Sequence, residues 1–417
     1  MAYLLAPPSN MVSHNLVLAM ISTTLLFIVT APAPVTAHDR IRRLSSSQNS
    51  NNINLNEVSS VESSGLCASL VTPLGYKCEE HQVTTQDRYI LSLQRIPEGR
   101  HGGSSGEKKK PVFLQHGVLM DGITWLLNPP EQSLAFILAD RGFDVWIANS
   151  RGTRWSNRHV TLTTTQPVYW AWSWDELVTQ DLPATFDYVY RLTGQNLHYV
   201  GHSMGTLVAL ASFSEGRLVD KIKSVALLSP VAYLAHMSTP IGIICAKAFV
   251  GEVISCHNTN ININVNTFFY LYLKILQLLG ENCCLNASTI EVFLKYEPQP
   301  TSTRTMVHLA QTFRDGVLAK YNFTSEEENM KRYGQTTPPV YQLSNIPRSL
   351  PLFVSYGGQD SLADSADVAR LLDDLKLHDR DKLTVHFVKD YAHADFVMGV
   401  SAKQLVYESV IAFFNRN

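Results

Sequence analysis

The chain has 417 residues, of which 45 % are hydrophobic and 17 % are charged. The apolar share is large enough to form a core, so a chain that is disordered throughout is excluded. Lysine and arginine total 34 against 36 aspartate and glutamate residues, which leaves a formal charge of −2. Affinity for nucleic acid depends on clustered basic charge, so we expect no nucleic-acid partner.

The N-terminal segment is predicted to be a targeting signal. Leu16 to Val29 is apolar over about the length of a signal-peptide core, which is too short for a membrane span of ~20 residues. Val35-Thr36-Ala37 supplies small residues for cleavage, so residues 1–37 are interpreted as a signal peptide. A signal anchor is the alternative, because no basic residue precedes the apolar run. Residues 38–66 are rich in Ser and Asn and predict a low-complexity linker or a propeptide.

Cysteines and glycosylation sequons agree with the secretory pathway. We expect Cys67 to pair with Cys78, since the two flank a short segment ahead of the first strand. The remaining cysteines allow three pairings and the sequence does not choose among them; they are Cys245, Cys256, Cys283 and Cys284. Asn286 and Asn322 are the acceptor residues of two sequons. The expected destination is the cell exterior, a vacuole or a lysosome, and no later segment predicts a stable membrane span.

From Cys67 onward, short apolar runs alternate with segments of helical spacing. His81 to Arg95 predicts a hairpin with its turn near Gln86-Asp87, and Ser133 to Arg141 and Thr206 to Glu215 predict helices. The runs that predict strands are Val112 to Leu114, Val145 to Ala148, Leu197 to Val200, Val225 to Leu228, Leu352 to Ser355 and Leu383 to Val388. This alternation predicts an α/β fold with a mostly parallel sheet and helices on both faces.

One interval breaks the alternation. The stretch from Leu228 to Leu352 is far longer than the dozen or so residues that a crossover needs. We predict a cap at residues 230–347, inserted between two parts of a core at residues 67–229 and 348–417. Within the cap, Thr267 to Leu279 is an aromatic and aliphatic run that either packs onto the core or faces lipid when the cap opens.

One serine has the surroundings of a catalytic nucleophile. Gly201-His202-Ser203-Met204-Gly205 matches the G-x-S-x-G pattern, and so does the segment around Ser104. A nucleophile elbow needs a turn from a strand to a helix, because that turn raises the hydroxyl above the sheet edge. Ser203 lies between a predicted strand and a predicted helix, whereas Ser104 lies in a polar stretch. Ser203 is therefore the candidate nucleophile.

A serine hydroxyl needs a base, and in this arrangement the partners follow in the order serine, acid, histidine. Asp360 comes after the strand Leu352 to Ser355 and a pair of glycines, and it is the candidate acid. Asp364 and Asp367 compete for the role, but their spacing suits the start of a helix, where acidic residues favour the helix dipole.

The candidate base is His393, which lies in a loop just past the last predicted strand. His386 lies inside that strand, and His202 lies within the elbow, where the pattern needs no base. The oxyanion of a tetrahedral intermediate needs preset N–H donors. We expect these to be the backbone N–H groups of Met204, after the nucleophile, and of Val118, in the loop after an early strand.

These segments resemble the acid lipase family, which includes gastric lipase, lysosomal acid lipase and plant triacylglycerol lipases. The resemblance covers most of the chain from about Cys67. It is carried by Phe113-Leu114-Gln115-His116-Gly117, Ser133 to Asp140, Asp144-Val145-Trp146, Asn149-Ser150-Arg151-Gly152, Ser173-Trp174-Asp175-Glu176, Asp181-Leu182-Pro183-Ala184, Leu197 to Ser203, and Gly357-Gly358-Gln359-Asp360 with Leu362-Ala363-Asp364.

The resemblance implies an α/β-hydrolase fold, a helical cap over the site, and hydrolysis of carboxylic esters of neutral lipids at an interface by an acid-tolerant secreted glycoprotein. A serine triad needs no cofactor, and no Cys/His spacing suggests a metal site. The chain departs from the family at Met204, usually Gln, at Arg88, usually Gly, and over Cys256 to Leu279, which does not look like the family's cap. Alternatives are a soluble carboxylesterase, an acyltransferase, or a non-catalytic ligand-binding protein on the same fold.

Overall fold

The computed structural model describes residues 65–100, 102, 108–239, 243, 246–247 and 280–417. The predicted signal peptide, almost all of the predicted linker, the loop with Ser104 and the run from Thr267 to Leu279 lie outside the described residues. Within them, no helix combines the length and apolarity needed to cross a bilayer.

A mostly parallel sheet organises the fold, as the sequence predicted. Its strands, within the described part of the chain, are β1 (Glu79–Thr84), β2 (Tyr89–Ile96), β3 (Pro111–Gln115), β4 (Asp144–Ala148), β5 (Arg158–His159), β6 (Leu197–His202), β7 (Ile222–Leu228), β8 (Leu352–Gly357) and β9 (Leu383–Val388). The strand order is β1-β2-β4-β3-β6-β7-β8-β9, and β5 pairs with β2. Pairing is parallel from β4 to β9 and antiparallel where β2 meets β1, β4 and β5.

Helices connect these strands. In the described ranges they are α1 (Leu134–Asp140), α2 (Trp174–Glu176), α3 (Leu182–Thr193), α4 (Met204–Ser214), α5 (Ala287–Tyr296), α6 (Thr303–Asp315), α7 (Glu326–Tyr333), α8 (Ser365–Asp374), α9 (Asp395–Met398) and α10 (Glu408–Arg416). Short 3-10 or π-helical turns occupy Cys67–Val71, Thr72–Leu74, Gly122–Leu126, Pro167–Trp170, Leu177–Asp181, Leu343–Asn345 and Lys403–Tyr407. The helices expected at Ser133 to Arg141 and Thr206 to Glu215 are α1 and α4.

Local sequence explains where the later helices begin and end. The hydroxyl of Ser302 accepts a hydrogen bond from the Thr305 N–H at the start of α6, and Ser325 caps α7 in the same way. Gly316 and Gly334 follow the two helices with φ of 63° and 72°, the left-handed conformation in which glycine ends a helix without a steric penalty.

The central strands are buried on both faces, as parallel strands covered by helices should be. Alternate residues point to opposite sides of the sheet. Phe113, Trp146 and Tyr199 belong to one apolar cluster, whereas Val112, Ile147 and Val200 belong to the other. This double burial explains why the strands read as short continuous apolar runs rather than as alternating patterns.

The hairpin at the start of the domain contains one strained residue. The turn between β1 and β2 closes with hydrogen bonds from the Arg88 N–H to the Thr85 carbonyl and from the Thr85 N–H to the Tyr89 carbonyl. Arg88 has φ of 75°, in the left-handed region that favours glycine. This conformation gives a physical reason for the glycine that the acid lipase pattern has here.

Two disulfides lie in the described residues. Cys67 is bonded to Cys78, which confirms that expected pair, and Cys283 is bonded to its neighbour Cys284. Cys245 and Cys256 lie outside the described residues. Of the predicted cap, the described part holds α5, α6 and α7, while the boundaries at residues 230 and 347 remain a prediction.

Candidate active site

Ser203 lies at a tight turn between β6 and α4. Its φ of 56° and ψ of −124° place it in a conformation that few non-glycine residues adopt. The flanking glycines are required by space. A Cβ on Gly205 would lie 2.5 Å from the Gln115 carbonyl oxygen, and one on Gly201 would lie 2.9 Å from the Gly205 backbone. The chain therefore folds here as a nucleophile elbow, with the serine at the carboxyl edge of the sheet.

Asp360 and His393 meet at the same edge. His393 Nδ1 lies 2.9 Å from Asp360 Oδ2 and 3.1 Å from Oδ1, and both residues are buried. Asp360 Oδ1 also accepts hydrogen bonds from the backbone N–H groups of Leu362 and Ala363, at 2.9 and 2.8 Å. Burial alone would raise the pKa of Asp360, but His393 and these two N–H groups outweigh it and hold that pKa below its ordinary value.

This contact determines which nitrogen of His393 can act as a base. An ionised carboxylate only accepts hydrogen bonds, so Nδ1 carries the hydrogen and Nε2 keeps a lone pair. Nε2 is buried, and no residue in the described part of the chain forms a hydrogen bond with it, Ser203 included. The structure thus joins the predicted acid to the predicted base and leaves the basic nitrogen open.

His202 supports the His393 loop from inside the elbow. Its Nε2 lies 2.9 Å from the His393 carbonyl oxygen, so Nε2 must carry the hydrogen and donate it. Burial lowers the pKa of His202 to about 3, and the ring is therefore neutral. The sequence pattern marked His202 only as the residue before the nucleophile, and its contact 191 residues away along the chain was not predictable.

The loop after β3 passes directly beside the nucleophile. A Cβ on Gly117 would lie 2.9 Å from Ser203 Cβ, so a larger residue would displace the serine. His116 Nε2 accepts a hydrogen bond from the Ser150 N–H at 3.0 Å, and Nδ1 therefore donates to the Gly117 carbonyl at 2.8 Å. In a trans peptide the next N–H points away from that carbonyl. His116 thus turns the N–H of Val118 to the opposite side of the loop.

The competing candidates lie in other surroundings. Asp364 is the N-cap of α8 and accepts a hydrogen bond from the Ala366 N–H at 2.8 Å. Asp367 lies 2.8 Å from His236 Nδ1, and His386 Nδ1 lies 2.9 Å from the Ser355 hydroxyl on the neighbouring strand. None of these contacts involves His393 or Ser203.

Asp395 is a buried carboxylate that sequence reasoning missed. It accepts hydrogen bonds from the backbone N–H groups of Ala392, Cys283 and Cys284, and so connects the His393 loop to the segment at Cys283 and Cys284. The Cys283, Cys284 and Asp395 ligand atoms lie within 4.8 Å of one another. Metal ligation by cysteine requires thiolates, and the two sulfurs are bonded to each other, so this donor set does not fit a metal ion.

A buried arginine braces the neighbouring loop. Arg151 donates hydrogen bonds to the carboxylates of Asp87 and Asp181, and its guanidinium lies 3.9 Å from the centre of the Tyr89 ring. Beside it, a small cavity next to Gly117 and Met204 is lined by Leu119, Met120, Trp172 and Pro300. Arg151 itself, His116, Ser150, Thr153 and Thr301 also line this cavity, so its lining is partly polar.

The predicted sugar acceptors differ in exposure. Asn286 is exposed and caps α5 by accepting a hydrogen bond from the Ser288 N–H. Asn322 is half-buried, and its Oδ1 accepts hydrogen bonds from the Thr324 N–H and the Asn329 side chain. Glycosylation at both residues stays a prediction.

A strand-to-helix elbow on a mostly parallel sheet is the arrangement of the α/β-hydrolase class. Comparison with known families gives the same class. A family model described as "alpha/beta hydrolase fold" matches residues 110–399, and one described as "partial alpha/beta-hydrolase lipase region" matches residues 67–129. A soluble variant of monoglyceride lipase from Saccharomyces cerevisiae shares the fold, with a TM-score of 0.53 at 13 % identity, over 82 % of this chain and 97 % of that one.

Comparison with sequence relatives identifies the family within the α/β-hydrolase class. Triacylglycerol lipase 2 of Arabidopsis thaliana is 56 % identical over 367 residues, which cover 84 % of this chain and 88 % of the relative. Gastric triacylglycerol lipase of Mus musculus is 37 % identical, over 82 % of this chain and 90 % of the relative. The chain therefore belongs to the acid lipase family, as the motifs between Phe113 and Asp364 implied.

Proposed function

We propose that this protein is a lipase that hydrolyses carboxylic esters of neutral lipids, triacylglycerols among them, through an acyl-enzyme on Ser203. The observation that carries the assignment of residues is the contact of His393 Nδ1 with Asp360 at 2.9 Å, on the sheet edge where Ser203 forms its elbow. Membership of the acid lipase family supports the chemistry, since named relatives are triacylglycerol lipases.

The first step forms the acyl-enzyme. Ser203 Oγ attacks the ester carbonyl carbon while Nε2 of His393 takes the hydroxyl proton, because Nδ1 already carries the hydrogen that faces Asp360. Asp360 stays ionised and stabilises the imidazolium that forms. The imidazolium then gives its proton to the leaving alcohol oxygen as the ester bond breaks.

Charge that develops on the carbonyl oxygen needs donors already in place. The N–H of Met204 is at the first position of α4, directly after the nucleophile. The N–H of Val118 is turned away from His116 by the hydrogen bond at the Gly117 carbonyl. These two groups form the proposed oxyanion hole. In the second step a water attacks the acyl carbonyl, His393 accepts its proton, and Ser203 leaves with that proton.

Apolar side chains lie beside the proposed oxyanion donor Met204. The small cavity there is lined by Leu119, Met120, Trp172 and Pro300, which offer dispersion contacts, and also by the charged Arg151 and four further polar residues. The protein is proposed to bind its substrate at a lipid interface. It is proposed to have no stable membrane span and no nucleic-acid partner. The Cys67–Cys78 disulfide supports a secretory route, to the cell exterior, a vacuole or a lysosome.

Two serine substitutions test the assignment. Ser203→Ala should lower kcat by about 10⁴-fold or more, the scale seen when a triad nucleophile is lost. Ser104→Ala is the matched control, since it alters the other G-x-S-x-G serine, and it should leave kcat unchanged. Both variants are assayed on emulsified triacylglycerol and on a soluble short-chain ester.

The same assay separates the alternatives. A lipase should prefer the emulsified long-chain substrate, whereas a soluble carboxylesterase should prefer the short-chain ester. Loss of activity in Ser104→Ala with retention in Ser203→Ala would contradict the assignment of the nucleophile.

A further inference from the structure

Two carboxyl groups are buried together where the loop that carries Val118, here called the oxyanion loop, meets the segment at residues 297–299. Asp121 follows Val118 by three residues and is fully buried, and Glu297 follows α5 and is only 3 % exposed. The Asp121 N–H donates a hydrogen bond to Glu297 Oε1 at 3.1 Å, so the Glu297 carboxyl lies against the Asp121 backbone. Neither carboxyl belongs to the catalytic groups proposed above.

The same junction is held by backbone contacts. The Gln299 N–H donates to the Leu119 carbonyl at 2.8 Å, and Gln299 Oε1 accepts from the Arg154 N–H at 2.9 Å. Asp121 Oδ1 also accepts from the Ile123 N–H at 2.8 Å and so caps the turn that follows the oxyanion loop. The loop that carries Val118 is thus coupled to residues 297–299 through contacts at Leu119 and Asp121.

The charges at this junction balance only if one carboxyl is protonated. Arg154 is the charged group that faces the pair in the described part of the chain, with its Nε 3.8 Å from Asp121 Oδ2. Asp121 Oδ2 and Glu297 Oε2 are buried, and no N–H or neutral hydroxyl in the described residues donates to either. Two ionised carboxylates against one guanidinium would leave a buried negative charge, which is costly. A proton shared by the two carboxyl groups removes that charge.

The ionisation behaviour agrees with this count. Burial raises the pKa of Asp121 to about 6. Burial and the negative charge of Asp121 raise the pKa of Glu297 well above its ordinary value. Two carboxyls this close titrate as a pair, so the second proton leaves above pH 6.

We propose that Asp121 and Glu297 are positioning residues that share one proton, and that this proton keeps the oxyanion loop docked on the cap-side segment at residues 297–299. Loss of the shared proton creates repulsion inside a buried junction, which loosens the loop and misplaces the Val118 N–H. Turnover then falls as the pH rises, although neither carboxyl touches the substrate. This inference rests on the proposed role of Val118.

Two isosteric variants remove the shared proton without removing its hydrogen bond. In Glu297→Gln the amide N–H can donate to the Asp121 carboxylate, and in Asp121→Asn it can donate to Glu297. In both, one carboxylate remains to face Arg154. On a soluble short-chain ester, the wild-type kcat should fall by about tenfold per pH unit over a range above pH 6. Over the same range, the kcat of each variant should stay within about threefold of its own value at pH 6. KM should change little, because the oxyanion forms only after binding.

Asp175→Asn is the matched control. Asp175 is half-buried, and burial raises its pKa to about 6, but it accepts hydrogen bonds from other partners, the Tyr321 N–H and the Tyr341 hydroxyl. Asp175→Asn should alter the melting temperature, but its kcat should decline at high pH as the wild-type kcat does.

Melting temperature against pH is the second readout, because it does not depend on catalysis. Both pair variants should lose part of the decline in melting temperature that the wild type shows above pH 6. If kcat of both variants declines at high pH over the same pH range as in the wild type, the proposal is overturned. If the wild type hydrolyses no ester at any pH, the proposed function has failed instead. In that case, unchanged melting profiles in both variants would overturn proton sharing by themselves.

Discussion

Three histidines lie close to Ser203, and their hydrogen bonds give each a different task. His393 holds its Nδ1 hydrogen against Asp360 and keeps Nε2 free, which is the form a general base needs. His202 donates through Nε2 to the backbone of His393, and His116 donates through Nδ1 to the backbone of Gly117. Both of the latter are fully buried, and burial lowers the pKa of His116 to about 4, so they position the loops as neutral rings.

The two neighbouring aspartates allow a direct test of the proposed acid. Asp360→Asn should lower kcat by about 10⁴-fold, because an amide in place of the carboxylate favours the wrong tautomer of His393. Asp364→Asn should leave kcat and the melting temperature unchanged, since Asn caps a helix about as well as Asp. Steady-state kinetics and thermal melts of the two variants make the comparison. A larger loss of kcat in Asp364→Asn would reverse the assignment.

At the scale of elements, the site is assembled from loops at one edge of the sheet. Val118 follows β3, Ser203 follows β6, Asp360 follows β8 and His393 follows β9. Parallel strands end at the same edge, so residues far apart in the chain meet there. The strands provide rigidity, while the turns after them carry the strained conformation of Ser203 and the close approach of Gly117.

The hairpin between β1 and β2 offers a prediction about stability. Arg88→Gly should raise the free energy of unfolding by up to ~1 kcal/mol, because Arg88 is held at φ of 75°, which costs about that much for a residue with a Cβ. Urea unfolding near pH 6 gives the free energy. Arg88→Ala is the control, since Ala keeps the Cβ and should bring no such gain. Equal stabilisation by Ala and Gly would show that the backbone conformation is not the cause.

At the scale of the whole molecule, buried ionisable groups link stability to pH in two opposing ways. Burial lowers the pKa of four histidines to about 3 or 4; they are His116, His198, His202 and His308. Unfolding lets them bind protons below about pH 6.5, so they reduce stability as the pH falls through that range. Among the described residues, burial raises the pKa of five carboxyls, of which Asp121 and Asp175 reach about 6; the others are Asp181, Glu297 and Asp395.

The raised carboxyls act in the opposite direction. Folding keeps them protonated, whereas the unfolded chain releases these protons above about pH 4, so their contribution to stability is complete below that pH and declines as the pH rises. Between about pH 4 and pH 6 the histidine and carboxyl effects oppose each other. Below pH 4 the carboxyl effect ends while the histidine effect continues. Above pH 6.5 the histidine effect has ended, while the effect of the carboxyls with the most strongly raised pKa, Glu297 among them, continues.

We therefore expect a broad plateau of stability between about pH 4 and pH 6, a steep loss below pH 4 and a gradual decline above pH 6.5. The lowered pKa of Asp360 adds to the acid loss, since that carboxylate stabilises the fold only while it is ionised. Urea unfolding at half-unit steps from pH 3 to pH 8 measures the profile. A single maximum near pH 8 with no plateau would contradict it.

The sequence by itself determined the fold class and predicted the candidate catalytic residues. Short apolar runs with turn signals marked the six parallel strands. The central ones are apolar throughout because they are buried on both faces, whereas the edge strand β9 is only partly buried. The G-x-S-x-G pattern singled out Ser203 over Ser104 through its flanking strand and helix. The order of motifs along the chain also predicted that Asp360 and His393 would follow β8 and β9, where the structure has them in contact.

Only the tertiary structure decided which buried polar groups meet. The contacts of His202 with His393, of Asp395 with Cys283, and of Asp121 with Glu297 join positions more than a hundred residues apart along the chain. No local pattern encodes such pairs, because a buried hydrogen bond depends on where two loops come to rest, whereas apolar periodicity and turn residues act within a few positions. The same limit applies to the charge at the oxyanion loop: a carboxyl in sequence is ordinary, and its protonation follows from the burial and the neighbours that folding supplies.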